Sequence, residues 1–169
     1  PTKLESVDES IWINVDSYVI DWLTREGFAH DVVSDHDLQA EGAALLEPYT
    51  LVITCQHPEY YTTEMLDALE AYLAQGGRLM YLGGNGFYWK TVFHREAPYA
   101  LEVRRAEGGI RKWATEVGES YHAFDGSYGG LWRRLGRSAH KLVGNGFSGQ
   151  GSYLGLPYKA AEGIMDPRV

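Results

Sequence analysis

The run from Thr50 to Cys55 (Thr-Leu-Val-Ile-Thr-Cys) most constrains what this chain can fold into, because it is continuously apolar and β-branched with no polar alternation. A strand of that kind is expected to be covered on both faces, the hallmark of a parallel sheet with helices above and below it. Its neighbours fit. Val15, Tyr18, Val19, Trp22 and Leu23 recur at helical spacing, so a helix is expected over Asp16–Glu26, capped by Asp16 or Ser17 and ended by Gly27. Phe28–Ser34, with Val32-Val33, reads as a short β-prone run. Leu38–Leu46 reads as a helix capped by Asp35 or Asp37 and weakened by Gly42. A third helix is expected from about Thr62 to Gln75, where Met65, Leu66, Leu69, Tyr72 and Leu73 share one stripe. Gly76-Gly77 stops it before a strand at Arg78–Leu82.

Such alternation predicts an α/β fold: a three-layer sandwich around a mostly parallel sheet with right-handed crossovers, flavodoxin-like in type. The pattern changes after residue 86. Residues 87–169 read as a hairpin- and loop-rich, irregular β-rich extension, with Leu101–Arg105 and Lys141–Val143 as candidate strands. The 169 residues are expected to form a single domain. The lack of an initiator Met and of a closing element suggests a piece of something larger.

Charge is split along the chain. The first 77 residues carry 2 Lys/Arg against 15 Asp/Glu, and the remainder 13 against 8. The basic residues come largely in pairs (Arg104-Arg105, Arg133-Arg134) among aromatics and glycines, without the stripe a nucleic-acid binder needs. Pairing with the acidic half, or a subunit contact, is the expected use. No apolar run approaches the roughly 20 residues of a membrane span. The first residues lack the pattern of a signal peptide. A lone cysteine, Cys55, excludes an internal disulfide and makes the cytoplasm the default compartment.

Open α/β sheets bind ligands beyond the carboxyl ends of their strands. That rule selects Ser34–Asp37, Gln56–Tyr61 and Gly83–Trp89, which are expected along one edge. Pro58 biases His57 toward an extended conformation, in which His57 and Glu59 point to the same side. An imidazole and a carboxylate so placed suit metal ligation or acid–base work, with Tyr60 and Tyr61 as possible phenolate ligands. The alternative has His57 capping the third helix while the two tyrosines cover the sheet edge. His-x-Glu is a weak motif, and spacing alone favours that alternative. In the third segment the glycines around Asn85 permit a tight turn with exposed N–H groups, able to hold an oxyanion. They serve equally to let the chain pass under Phe87 and Trp89. The layout resembles a nucleophile elbow, but an amide stands where the nucleophile would be. Cys55 reads as inert core, Asp35 and Asp37 as helix caps before cation ligands, and His94 as solvated; His122 has no partner that sequence names.

Several strings resemble the large subunit of N,N-dimethylformamidase: Asp31–Glu41, His57–Tyr60, Tyr81–Trp89, Val103–Gly109 and Gly129–Arg134. The likeness covers about residues 16–150. It implies a sheet architecture similar to class I glutamine amidotransferases without their cysteine nucleophile, which Asn85 at the elbow fits. It also implies a mononuclear ferric site, Fe³⁺ held by two tyrosines and one glutamate, that hydrolyses a small amide substrate. The glutamate maps onto Glu59, and a histidine near the metal onto His57. Hard anionic oxygens suit Fe³⁺. The two tyrosine ligands are expected before residue 1 and a second catalytic glutamate after residue 169, since Tyr18, Tyr60 and Tyr61 match neither ligand position. The chain would then hold one ligand of three, as a fragment of the large subunit or a truncated relative. The remainder of that subunit, a small subunit and an oligomer are the implied partners. A non-catalytic sandwich serving subunit assembly is the rival expectation, and an ordinary hydrolase using Cys55 a third.

Overall fold

The computed structural model describes residues 7–149 except 107, 109–111, 113–115 and 117. Trp113 and everything from residue 150 onward lie outside the described residues, as do Glu107 and Gly109 of the resembling string.

The order is α1 (Val7–Arg25), α2 (Asp35–Glu41), α3 (Ala43–Leu46), β1 (Leu51–Thr54), β2 (Tyr60–Tyr61), α4 (Thr63–Ala74), β3 (Arg78–Tyr81), β4 (Trp89–Phe93), β5 (Leu101–Val103) and α5 (Ala139–Val143). The fold is α/β, as the alternation predicts. β1 pairs with β3 in parallel, Leu51 opposite Arg78. In a second sheet β2 runs parallel to β4, and β4 antiparallel to β5.

Local chemistry sets the element boundaries. Ser34 caps α2: its hydroxyl accepts from the Asp37 amide, while the Asp37 carboxylate accepts from the Ser34 amide at 2.8 Å. The cap is therefore Ser34, with Asp37 closing the box, and Asp35 takes no part in it. Gly42, at φ 63, divides the helix expected over Leu38–Leu46 into α2 and α3. Thr62 caps α4, accepting from the Met65 amide at 3.1 Å. Gly27 is left-handed at φ 75 as expected, but α1 begins nine residues before Asp16, which lies inside the helix.

The main core lies where α2, α3 and α4 pack on the sheets, with Met65, Leu66, Leu69, Tyr72, Phe87 and Trp132 all nearly inaccessible. Three expectations need correction. β1 is not covered on both faces, since Leu51 is 41% exposed; among the described residues β1 has a single neighbour and an open second edge. Phe28–Ser34 pairs with no strand among the described residues. Lys141–Val143 is helical, because Ser138 caps α5 and left-handed Gly144 ends it. Trp89–Phe93 is β4, which with antiparallel β5 gives the hairpin-like pairing expected of the extension.

Candidate functional site

The three selected segments do meet beyond the carboxyl ends of β1 and β3. Gly83 sits so close to the preceding loop that a Cβ would lie 2.3 Å from the Gln56 carbonyl and 2.5 Å from that of Cys55. Further along, the Phe87 amide donates to Pro58 at 2.7 Å, and the Tyr88 and Trp89 amides donate to Glu59 at 3.1 and 2.8 Å. The Gly86 amide donates to the Tyr81 hydroxyl at 2.8 Å. Asn85 (φ 55) and Phe87 (φ 53) are both left-handed without being glycine. Asparagine visits that region readily, whereas a bulky phenylalanine holds it only where the surroundings impose it.

This arrangement changes what the turn can do. The amides of residues 86–89 are all spent on Tyr81, Pro58 and Glu59, so they build no main-chain oxyanion hole. The Asn85 side chain, half-buried at the apex, is a further polar group at the turn.

His57-Pro58-Glu59 is not extended. The Glu59 amide donates to the His57 carbonyl at 2.6 Å, a γ-turn whose centre suits the fixed φ of proline. His57 is exposed and borders a cleft beside β1, whereas half-buried Glu59 does not line that cleft. The shared direction expected of the two side chains loses its basis. The Glu59 carboxylate has no hydrogen-bond or ion-pair partner among the described residues.

The tyrosines are otherwise engaged. Arg105 donates to the Tyr60 hydroxyl and stacks over its ring, 5.4 Å from the centroid. Tyr61 packs edge-on against Phe87, 4.9 Å between centroids, and burial, aided by Asp35, raises its phenol far above the ordinary range. Neither is a ready phenolate.

Two groups that sequence reading assigned to capping stand nearer the site. The Asp16 carboxylate accepts from the Gln56 amide at 2.9 Å, fixing α1 over the end of β1. Asp35 borders the same cleft, and its carboxyl is raised by burial, partly offset by His36 and reinforced by Asp16. The signal for Asp35 was the first turn of α2: the box uses only positions one and four of Ser-Asp-His-Asp, leaving Asp35 spare.

The remaining candidates are structural. Burial and then Asp16 push the Cys55 thiol up, which keeps it protonated. His94, expected to be solvated, caps a turn, its Nδ1 accepting from the Ala97 amide at 3.0 Å, and stacks on Phe124. His122 is 1% exposed, with Nδ1 3.3 Å from the Ser127 carbonyl; burial lowers its pKa and holds it neutral. Among the described residues no three His, Cys, Asp or Glu side chains are grouped to hold a metal ion.

The family model described as N,N-dimethylformamidase beta subunit-like, C-terminal, matches residues 2–166. An N,N-dimethylformamidase beta subunit of Alcaligenes sp is 45% identical over 143 residues, covering 84% of this chain and 19% of the relative. One of Paracoccus aminophilus is 44% identical over 166 residues, covering 93% of this chain and 22% of the relative. The chain thus spans about one-fifth of the length of these relatives. On these matches the chain belongs to the N,N-dimethylformamidase beta subunit-like, C-terminal family.

Proposed function

We propose that this chain forms part of the centre of a cytoplasmic amide hydrolase related to N,N-dimethylformamidase, supplying Glu59 as one ligand of a mononuclear Fe³⁺ and Asn85 as a substrate-binding group. The residues fit that cation in part. Glu59 is a partially desolvated carboxylate with no competing partner among the described residues. Tyr60 and Tyr61 are unsuited to complete the set, so the remaining donors come from elsewhere in a longer subunit, itself partnered by a smaller one within a flavodoxin-like sandwich. When bound, ferric iron polarises a small amide carbonyl and acidifies water.

This chain's own contribution is positional. The three main-chain hydrogen bonds from Phe87, Tyr88 and Trp89 tie the Glu59 loop to the Asn85 turn, and this is the observation that carries the proposal. They hold carboxylate and carboxamide on one rigid unit, so the Asn85 side chain can donate to a carbonyl oxygen while Glu59 keeps the cation in register. Exposed His57 stands at the edge of the same loop, where it orients incoming substrate.

Iron content of the purified full-length subunit, wild type against Glu59→Gln, tests the assignment. Iron is expected to fall to less than about a tenth, consistent with the loss of an anionic ligand. Equal iron and equal amidase activity in both would overturn it.

A further inference from the structure

Between β1 and the segment running from Phe28 to Ser34 lies a cleft of about 780 Å³, covered by Val19, Ile20 and Leu23 of α1. No residue of β3 borders it, so it lies along the edge of β1 that carries no partner. Its opposite wall is equally unsatisfied. From Ala29 to Val33 the main chain makes no hydrogen bond among the described residues, and Val32 is 67% and Val33 43% exposed. Thr54 Oγ1 and Gln56 Oε1, at the carboxyl end of the cleft, are buried without a partner among the described residues. Buried side-chain polar groups are almost always paired in a finished structure, and an extended run of unpaired main chain is a ready template for another strand.

The two walls run in the same direction. The Tyr49 hydroxyl donates to Asp31 at 2.9 Å before β1 begins, while Asp35 and Asp16 border the cleft beyond its end, Asp16 held there by the Gln56 amide. Residues 31–35 therefore run parallel to residues 49–56, with α1 antiparallel above them. The helices α2, α3 and α4 pack against one another and α1 stands apart. Right-handed crossovers produce that arrangement when the chain steps one way across a sheet through α1 and then returns through α2 and α3. The return passes over one vacant strand position, which is the cleft.

We propose that this cleft receives an extended apolar β-strand from the remainder of a longer subunit, lying parallel to β1 and pairing on both sides, with β1 and with residues 29–33. The relatives are more than four times the length of this chain, so a subunit of that size would have ample polypeptide to supply it. The strand joins β1 and β3 to the Val32-Val33 segment in one four-stranded parallel sheet. Its carboxyl end emerges beside Asp16, Asp35 and His57, at the edge where ligands bind in such sheets. The inference is independent of iron.

Photo-crosslinking in the full-length subunit tests it, with a leucine-sized diazirine amino acid at Val32 in one variant and at Leu51 in another. Both positions, on opposite walls, are expected to crosslink to one shared apolar peptide of the same polypeptide outside residues 1–169. Hydrogen exchange of the wild-type full-length subunit should show the Ala29–Val33 amides at least about tenfold slower than an unpaired segment. Crosslinks confined to residues 1–169, or to a second copy or the small subunit, would overturn the proposal. So would fast exchange at Ala29–Val33, a readout that needs no substitution.

Discussion

Adjacent glycines at the site carry opposite burdens. A methyl group on Gly83 would penetrate the carbonyls of Cys55 and Gln56, which are main chain and cannot turn aside. A methyl group on Gly84 would meet only the His57 ring, at an ordinary 3.7 Å. Gly83→Ala is therefore expected to cost at least about 2 kcal/mol in chemical denaturation, and Gly84→Ala within about 0.5 kcal/mol of nothing. Equal effects would mean that the two loops are not pressed together at Gly83. Cys55 offers a second check at this scale. Because burial raises its thiol, the reactive thiolate is scarce until pH climbs above the ordinary thiol range. Alkylation of the native protein at pH 8 should run several-fold slower than that of the denatured chain, and Cys55→Ser should leave any amidase activity intact. Rapid native-state alkylation would instead revive Cys55 as a nucleophile.

Between elements, Glu102 of β5 is the main polar junction of the second sheet. It accepts from the amides of Ala123 and Phe124 at 2.9 and 3.0 Å and from Arg104 at 2.7 Å. Burial alone would raise its carboxyl, but the two amides and Arg104 outweigh burial and hold it below the usual glutamate range. A depressed folded pKa stabilises fully above the unfolded value and loses that contribution as pH falls through the folded one. Glu102→Gln should thus cost about 2 kcal/mol at neutral pH. The gap from wild type should close in strong acid, as read from denaturation midpoints across pH. A pH-independent gap would mean that packing, not charge, holds this junction. The elements differ in how far sequence revealed them. α4 was legible because its stripe, its Thr62 cap and Gly76-Gly77 agree. α5 was not, although Ser138 and Gly144 bracket it with readable caps, because Lys141–Val143 is too short to show a period. β4 was not delimited in advance, because its aromatics read as core or interface without showing a strand; completely buried Trp89 is bridged by Leu131 from 42 residues away, a contact no local pattern announces. At the site, Pro58 announced a constraint on His57, but local preference could not distinguish an extended run from a γ-turn. Positive φ at Phe87 is likewise imposed by its surroundings rather than by residue type, whereas at Asn85 the residue itself favours it.

For the molecule as a whole, the opposed charge of the two halves resolves into few contacts among the described residues, of which Arg137 makes the most consequential. Its guanidinium meets Asp67 at 2.7 Å and Glu70 at 2.9 Å, one helical turn apart on α4, and lies over the Trp132 ring. Trp132 in turn donates its indole N–H to the Tyr61 carbonyl at 3.0 Å. Residues 131–137 are thereby fastened to both α4 and β2, and the distal segment backs the loop that carries Glu59. Two forces compete to explain the attachment. The carboxylates are 61% and 54% exposed, so water and salt screen them and each pair contributes less than about 1 kcal/mol. The Arg137 side chain is only 22% exposed, and its planar fork both stacks on the indole and reaches two acceptors, which a lysine cannot do. Geometry should therefore outweigh charge. Arg137→Lys is expected to lose more than half of the roughly 1–2 kcal/mol lost by Arg137→Met. Adding 0.5 M NaCl should leave the Arg-to-Met difference largely in place, because stacking on a buried ring is not screened. A lysine variant as stable as wild type, or a difference that vanishes in salt, would reverse the ranking and make net attraction between the acidic and basic halves the force that holds them together.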